Sequence, residues 1–556
     1  LIRKALKNLP KTLDDTYTRL FLEIDEAYRQ EAKNALCWLI FAGRPLQLAE
    51  LAEAIIINPQ LDPPFDPEER FPDPQNVLEI LSSLITVSAH KDLLSPDLEF
   101  SEFEAPEVVA TTSTVRLAHF SVKEYLISDR IKGTQAQYFA ISDPITHSIL
   151  AKCCLYYVLH YCNSRSKTRT RKDMYSFPLL EYASKGWYFH IHFLPFEREI
   201  ELTPDVLKLL LSESALSCWL DVHVPGSPAN SKHPFEGDEV YVTTPLCYAS
   251  AIGLFHVVQE LLALGHDPNK ESFLPPLHRA VSGHFDNVVG ILLEAGAVVN
   301  MKDDYNTLTP LHIAAEKGTV SIAAKLIKYG GDVDAVDEAG KTPLYFAAYH
   351  GNEPVARLLV ESGASIDNPK TTSGQTPFHF AAYNEDASLS KYLLEHGANI
   401  NAQNLSGQTA LHYAAGLNQN ILHLLLAYGV ELEIETKRGE TPLYWAATGH
   451  NYEQPIRLLI NAGANIVQPL LLLAKDGSHE GFHHLFYAGI LHPQTNSLTW
   501  STLRECALLG YDLCTECHHM LVEHAKHDRY VKLGLTIRAS DSMRELSHGY
   551  TVLNEE

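Results

Sequence analysis

Along most of the chain, apolar positions recur every three or four residues, the spacing of an amphipathic helix. Leu13, Tyr17, Leu20, Phe21 and Ile24 form one such stripe, and Ala35, Leu36, Leu39 and Ile40 form another. After the turn GRPL a third stripe runs through Leu48, Leu51, Ala52 and Ile55. Behind the Pro-rich loop PQLDPPFDPEERFPDP, the segment VLEILSSL predicts a further helix leading into a strand, LITVSA. A second strand, TVRLAH, follows an acidic loop at residues 92–107 that holds six Asp and Glu. Helical spacing returns in SILAKCCLYYVLHY and LTPDVLKLLL, before the polar loop GSPANSKHP.

The stretch VRLAHFSVKEYLIS joins the two rhythms at a histidine. Val115 and Leu117 alternate with polar or small residues, as in a half-buried strand. Ser121 and Glu124 then have the spacing of a helix capping box, with Phe120 and Tyr125 placed for a hydrophobic staple. His119 therefore sits where a strand hands over to a helix. Helices followed by two strands around a variable loop predict a winged-helix topology for residues 1–140. The acidic loop would be the wing, which argues against reading DNA with it.

From residue 241 a longer period takes over. The pattern T-P-L-x-x-A-A recurs as TTPLCYAS, LPPLHRAV, LTPLHIAA, KTPLYFAA, QTPFHFAA, QTALHYAA and ETPLYWAA. Its anchors Pro245, Pro276, Pro310, Pro343, Pro377, Ala410 and Pro442 are 31, 34, 33, 34, 33 and 32 residues apart. A Gly-containing mark follows each, as in LEAGAVVN or LEHGANIN, with an aliphatic run between. Thr caps a helix, and Pro at the first helical position has no N–H to leave unsatisfied. The Ala pair lets neighbouring helices approach, the Leu run gives a second helix its buried stripe, and Gly ends that helix in a left-handed turn. One such unit cannot bury its apolar face alone, so the units must stack. Two degenerate units are expected at the end, with Pro469 and Thr502 in the anchor position.

With 556 residues, two to four domains or an array are expected. Net charge is −24, so the molecule repels polyanions, and neither nucleic acid nor a membrane is expected as partner. A local exception would be the run NSRSKTRTRKD with Arg165, Lys167, Arg169, Arg171 and Lys172. It reads as a solvated loop, with a targeting or nucleic-acid patch as the alternative. Nine scattered cysteines form no disulfide framework, and the odd count fits a reducing, cytoplasmic compartment. No apolar run reaches the roughly 18 residues of a membrane span, and there is no signal peptide. The chain begins at Leu1, not Met, inside a helical pattern, so an upstream part is expected to be missing.

Three motifs invite other chemistry. Gly340-Lys341-Thr342 looks like the end of a phosphate-binding loop, but the first Gly that loop needs would fall at Ala335. Cys514-Thr515-Glu516-Cys517-His518 spells a haem-attachment pattern, and zinc with His519 or redox chemistry are its other readings. A structural role is expected there, so no cofactor and no metal is assigned. The anchor histidines His278, His312, His379 and His412 read as structural, not as metal ligands.

The repeat pattern resembles the ankyrin repeat. That resemblance implies that the anchor histidines bond backbone groups linking adjacent units, and that a protein partner binds loop tips and the concave helix face. Tip candidates are Tyr305, Asn306, Glu338, Thr372, Leu405, Lys437 and Arg438. Concave candidates are Glu316, Lys317, Tyr349, His350, Tyr383 and Asn384. Phe346, Phe380, Tyr413 and Trp445 recur immediately before the Ala pair, either as partner contacts or as packing between helices.

In the N-terminal half, LPKTLDDTYTRLFLEI, ALCWLIFAGRPLQLAELAEAI, ILSSLITV and VRLAHFSVKEYLIS occur in that order. This resembles the segment after the NACHT domain in fungal NACHT–ankyrin proteins, relatives of NLR immune receptors of the STAND class. FPLLEYASKGWYFHI is similar to part of their helical connector. The resemblance implies that the winged helix folds against a NACHT domain, absent from this sequence, and that His119 contacts the β-phosphate of its ADP. The expected organisation is mostly α: a helical segment and winged-helix domain over 1–140, a helical connector over 141–240, ankyrin repeats over 241–527 and a tail over 528–556. The expected function is non-enzymatic recognition and regulation in an NLR-like receptor, or alternatively a stand-alone ankyrin scaffold with a structural N-terminal cap. No catalytic residues are assigned.

Overall fold

The computed structural model describes residues 12–88, 113–170, 172–223, 244–270, 274–304, 306–367, 371–417, 419–449, 452–492 and 495–509. The acidic loop, Arg171, the GSPANSKHP loop, Tyr305, the C-x-x-C-H motif and the 528–556 tail lie outside the described residues. The chain forms two compact units, Leu1–Ala295 and Gly296–Glu556. Among the described residues no helix is long and apolar enough to cross a membrane.

The first unit opens with helices α1 (Leu13–Leu22), α2 (Arg29–Phe41), α3 (Leu48–Ile56), α4 (Asn76–Leu81) and α5 (Phe120–Ile127). Three short strands, β1 (Leu46–Gln47), β2 (Ile85–Ser88) and β3 (Thr114–Leu117), pair antiparallel in the order β1-β3-β2. Val115 is opposite both Leu46 and Val87. Local chemistry sets the helix starts. Thr12 accepts from Asp15 N at α1, while Glu50 closes a capping box with Gln47 at α3 and is held by Arg44. Phe21 stacks with Tyr125 and Phe139, and all three are buried.

At α5 the structure corrects the expected cap. The N-cap is His119, not Ser121: its Nδ1 accepts from Ser121 N at 3.2 Å. Ser121 is inside the helix, buried, with its hydroxyl 2.5 Å from Tyr17 Oη. Phe120 is 68% exposed and so forms no staple. An imidazole nitrogen without a proton accepts an N–H as a Ser or Asp oxygen does, and this is why the rule for oxygen caps missed it.

The rest of the first unit comprises α6 (Asp143–Asn163), α7 (Asp173–Ser176), α8 (Leu180–Ile191), α9 (Phe196–Glu199), α10 (Thr203–Leu211) and α11 (Glu213–Val222), then two repeats. Buried polar groups tie these helices to the N-terminal elements. Tyr157 Oη donates to Glu53 Oε2 at 2.8 Å, and Arg70 pairs with Glu53 at 2.6 Å. A second network runs from Gly43 N to Tyr182 Oη (3.2 Å), His190 Nε2 (3.1 Å), His147 Nδ1 (2.9 Å) and Asp143 (3.2 Å). Burial, with His147 beside it, pushes His190 down to about 3, so its ring is neutral. The two repeats, Pro245–Ala251 with Phe255–Ala263 and Pro276–Ser282 with Asp286–Glu294, are joined to the connector by Glu199, which accepts from His256 N, and by His192 Nε2, which donates to Ile252 O.

The second unit is a run of helix pairs: Pro310–Lys317 and Val320–Lys328, Pro343–Tyr349 and Glu353–Glu361, Pro377–Tyr383 and Ala387–Glu395, Ala410–Leu417 and Gln419–Ala427, Pro442–Thr448 and Glu453–Asn461. First helices pack on first helices and second on second. The degenerate end departs from the expected register. Pro469 is the third residue of Val467–Lys475, and Thr502 lies inside Asn496–Leu508, with its hydroxyl donating to Leu498 O at 2.8 Å. Without a Thr-Pro pair nothing fixes the helix start at the anchor, and the helix begins earlier.

Candidate functional site

In the second unit the anchor chemistry builds one face. Thr342 and Thr441 cap their helices by accepting from Tyr345 N and Tyr444 N. Where the third helical residue is His, a further bond runs the other way and closes a capping box at Thr309 and Thr376: Thr309, Thr376 and Thr409 N–H donate to Nδ1 of His312, His379 and His412 at 3.1, 3.1 and 3.0 Å. With Nδ1 accepting, Nε2 carries the proton and donates to the next unit, to the carbonyls of Lys341, Gln408 and Glu440 at 3.0, 3.1 and 3.2 Å. Burial holds all three histidines below their ordinary pKa, His412 at about 4. These are structural bridges, as expected for the three. His278 in the first unit is likewise buried.

A second ladder joins the Gly marks. Asn300, Asp334, Asp367, Asn401 and Glu433 accept from the backbone N of Asp332, Ser365, Asn399, Glu431 and Asn465 in the following unit. The tips pair too, with Thr372, Leu405 and Lys437 N donating to Ala339, Ser373 and Ser406 O, each at 2.9 Å. The GKT motif belongs to this scaffold: Gly340 has φ 75°, Lys341 N donates to Asp337, and Thr342 is a helix cap.

On this frame the first helices carry a row of aromatic rings. Tyr349 and Tyr345 each lie against Phe380, with centroids 5.0 and 4.8 Å away. Further along, Tyr383 meets Tyr413 at 6.0 Å and Tyr413 meets Trp445 at 6.0 Å, edge to face. Tyr349 and Tyr383 are 50% and 53% exposed, whereas Phe380 is 7%. The row therefore combines packing rings with open ones. It ends in a cavity of about 510 Å³ lined by Ser406, Lys437, Arg438, Tyr444 and Trp445, among others. There Trp445 Nε1 donates to Glu440 Oε2 at 2.9 Å.

The expected contact residues sit in different surroundings. Lys437 and Arg438 are exposed and line that cavity; Tyr349, His350 and Tyr383 are exposed along the row but outside it. Glu316 and Lys317 pair with each other at 2.9 Å, and Asn306 and Glu338 stand at exposed tips. Asn384 is exposed, yet its amide donates to Ala348 O and Tyr349 O of the preceding unit, so it also closes that helix. Asn352 makes the equivalent bonds to Ala315 O and Glu316 O. Sequence reasoning missed Tyr345 in the row and Tyr444 in the lining of the cavity. Their signal was available: each replaces the anchor histidine, in TPLY.

In the first unit, His119 is an exposed cap whose Nδ1 is also 2.5 Å from Ser121 Oγ, itself bonded to Tyr17 Oη. Both donors point at Nδ1, which leaves the proton on Nε2. Nε2 has no partner among the described residues.

Comparison with known proteins fits the repeat geometry. Ankyrin-repeat models match residues 277–370 and 367–435 (three copies) and 438–469 (one copy). These units are ankyrin repeats. The chain is 30% identical over 313 residues to azaphilone pigments biosynthesis cluster protein L of Monascus ruber, covering 53% of this chain and 61% of that protein. It is 36% identical over 108 residues to a putative ankyrin repeat protein of Rickettsia felis, covering 17% of this chain and 47% of that one. The chain thus spans less than two thirds of these curated relatives. Among solved structures, the ankyrin repeat domain of human ASB11 matches at 25% identity and TM-score 0.36, covering 40% of this chain and 99% of that one.

Proposed function

We propose that this chain is the non-enzymatic recognition and regulatory part of an NLR-like signalling receptor, in which the ankyrin units hold a protein partner. The observation that carries the reading is the aromatic row: large, stiff side chains left half open on a rigid face, ending beside two exposed cations. Aromatic residues and Arg are the usual anchors of protein interfaces, because they bury much area for little lost entropy. The partner crosses Tyr349 and Tyr383 and reaches Lys437 and Arg438. Affinity capture with wild type and with Tyr349→Ala/Tyr383→Ala tests this. The double variant loses the partner; an unchanged captured set overturns the reading.

The N-terminal order helix, strand, helix, helix, strand, strand, with β3 between β1 and β2, supports a winged helix. His119 supports its regulatory role, because an outward Nε2–H at the start of a helix is a donor suited to phosphate. The nucleotide itself would be held by a NACHT domain upstream, and this chain supplies only the donor. A stand-alone scaffold with a structural N-terminal cap is the second reading. It is favoured by the cap that His119 makes on α5 and by the bonds from the connector to the first repeat. Sequence upstream of Leu1 separates the two: a phosphate-binding loop there supports the receptor.

A further inference from the structure

The open rings of the aromatic row are spaced for one kind of partner. Tyr349 and Tyr383 are each the last residue of a seven-residue first helix, Pro343–Tyr349 and Pro377–Tyr383, so they hold the same register position one unit apart. First helices pack directly on one another, and packed helix axes lie about 8–10 Å apart. Each ring is kept upright by a ring of the following unit. Tyr349 meets Phe380 at 72° and Tyr383 meets Tyr413 at 87° between ring planes. The face therefore presents two stiff, half-open rings about one helix spacing apart.

Their hydroxyls narrow what can lie across them. Tyr413 uses its hydroxyl inside the array, donating to Gln408 Oε1 at 2.9 Å and accepting from Asn404 Nδ2 at 3.1 Å and Gln375 Nε2 at 3.2 Å. The hydroxyls of Tyr349 and Tyr383 make no hydrogen bond among the described residues, so they stand as donors toward a ligand. A helix matches the ring spacing at i and i+7, about 10.5 Å, but its carbonyls are closed in its own ladder. A strand needs a sheet edge, and the described residues of this unit hold no strand. A polyproline II segment leaves every carbonyl free and rises about 3.1 Å per residue with three residues per turn, so i and i+3 stand about 9 Å apart on one face. Its proline rings pack on aromatic side chains, and being preformed it loses little entropy on docking.

Charge marks one end of the path. Two units beyond Tyr383 the row reaches the cavity of Lys437 and Arg438. Among the described residues Glu440 is the one carboxylate in its lining, and it already accepts from Trp445 Nε1 and, at 3.4 Å, from Thr436 Oγ1. Arg438 lies 3.9 Å from Glu440 with its side chain 87% exposed. Nearby acids are engaged elsewhere: Glu435 accepts from Gln468 Nε2 at 2.8 Å, and Asp476 from Tyr444 Oη at 3.1 Å. The cavity is thus locally positive on a chain of net charge −24, and a carboxylate of the partner complements it.

We infer that the partner presents a proline-rich segment in the polyproline II conformation, with prolines three residues apart over Tyr349 and Tyr383 and an acidic side chain at one end beside Lys437 and Arg438. This partner class rests on the reading that the row holds a protein. The three unit steps from Tyr349 to the repeat of Trp445 span about 27 Å, or about nine such residues.

A displayed library of random peptides about twelve residues long, selected on the whole chain, tests this. Enriched sequences should carry proline at i and i+3 and Asp or Glu toward one end. Tyr349→Ala/Tyr383→Ala should lose the proline enrichment. Lys437→Glu/Arg438→Glu, both at exposed positions, should turn the acidic preference into one for Lys or Arg. It should also weaken the wild-type consensus peptide about tenfold, an effect that high salt removes. Apolar residues enriched at i, i+3, i+4 and i+7 without proline would put an amphipathic helix in place of the segment and overturn the inference. An acidic preference that survives charge reversal, or no enriched sequence at all, overturns it too. The consensus peptide should displace the partner taken up in affinity capture. Capture lost in Tyr349→Ala/Tyr383→Ala but untouched by the peptide overturns the partner class and leaves the row standing; capture indifferent to both overturns the row as well.

Discussion

The two units satisfy their buried polar groups in opposite ways. In Gly296–Glu556 one bond is made again and again: His312, His379 and His412 each accept from their own cap and donate to the next unit. In Leu1–Ala295 each network occurs once and spans long sequence distances, as in Tyr157 to Glu53 or Tyr17 to Ser121, 104 residues apart in both cases. A periodic bond couples nearest neighbours, so its loss is felt locally. A single long-range network joins elements that nothing else in sequence relates, so its loss loosens a whole region. Native-state hydrogen exchange reads the two units separately and lets each be perturbed alone.

Acid should have the largest effect, and on both units, since His190 in the first is held low by burial as the anchor histidines are in the second. The anchor histidines must stay neutral to accept at Nδ1, and burial keeps their folded pKa below the unfolded value of 6.5, to about 4 for His412. The unfolded chain therefore takes up protons that the folded repeats refuse. Stability is full above pH 6.5, falls as pH drops toward 4, and then levels off for this group. For His412 the loss is up to about 3 kcal/mol at roughly 1.4 kcal/mol per pKa unit. His412→Asn should flatten this part of the profile by one proton; an identical profile would remove the histidine bridge from the account.

In the first unit, Glu53→Ala should cost about 2–3 kcal/mol, below the usual 3–5 for a broken buried pair because Arg70 is 35% exposed. Exchange should quicken in both α3 and α6; quickening in α3 alone would deny the long-range coupling. His119→Ala should cost about 1 kcal/mol by uncapping α5, and His119→Asn should restore most of it, since Asn also caps. Equal loss in both variants would move the role of His119 from cap to ring packing. The smallest effect is expected from Tyr349→Ala/Tyr383→Ala, about 1 kcal/mol or less, because both rings are half open. A midpoint shift beyond that in urea unfolding would make them core rather than contact residues.

The same contrast explains what the sequence could reveal. Helix starts at Pro310, Pro343, Pro377 and Pro442 were legible because Thr, Pro and the turn glycines act within a few residues of where they stand. The register failed at Thr502, where the Thr-Pro pair is gone. Ser121 misled for another reason: its hydroxyl is engaged by Tyr17, a contact no local pattern contains, and the cap fell to His119. The aromatic row was half legible. Phe346, Phe380, Tyr413 and Trp445 recur in register, but which rings stand open depends on the neighbouring unit, and Tyr349 and Tyr383 are the ones left half exposed.

Hydroxyl-radical footprinting of the chain alone and with its captured protein partner tests the central claim most directly. Tyr329 and Tyr428, each 42% exposed beyond the ends of second helices, serve as internal controls for Tyr349 and Tyr383 on the first. Oxidation of Tyr349 and Tyr383 should fall on binding while that of Tyr329 and Tyr428 stays the same. Protection of Tyr329 and Tyr428 with Tyr349 and Tyr383 unchanged would contradict the account.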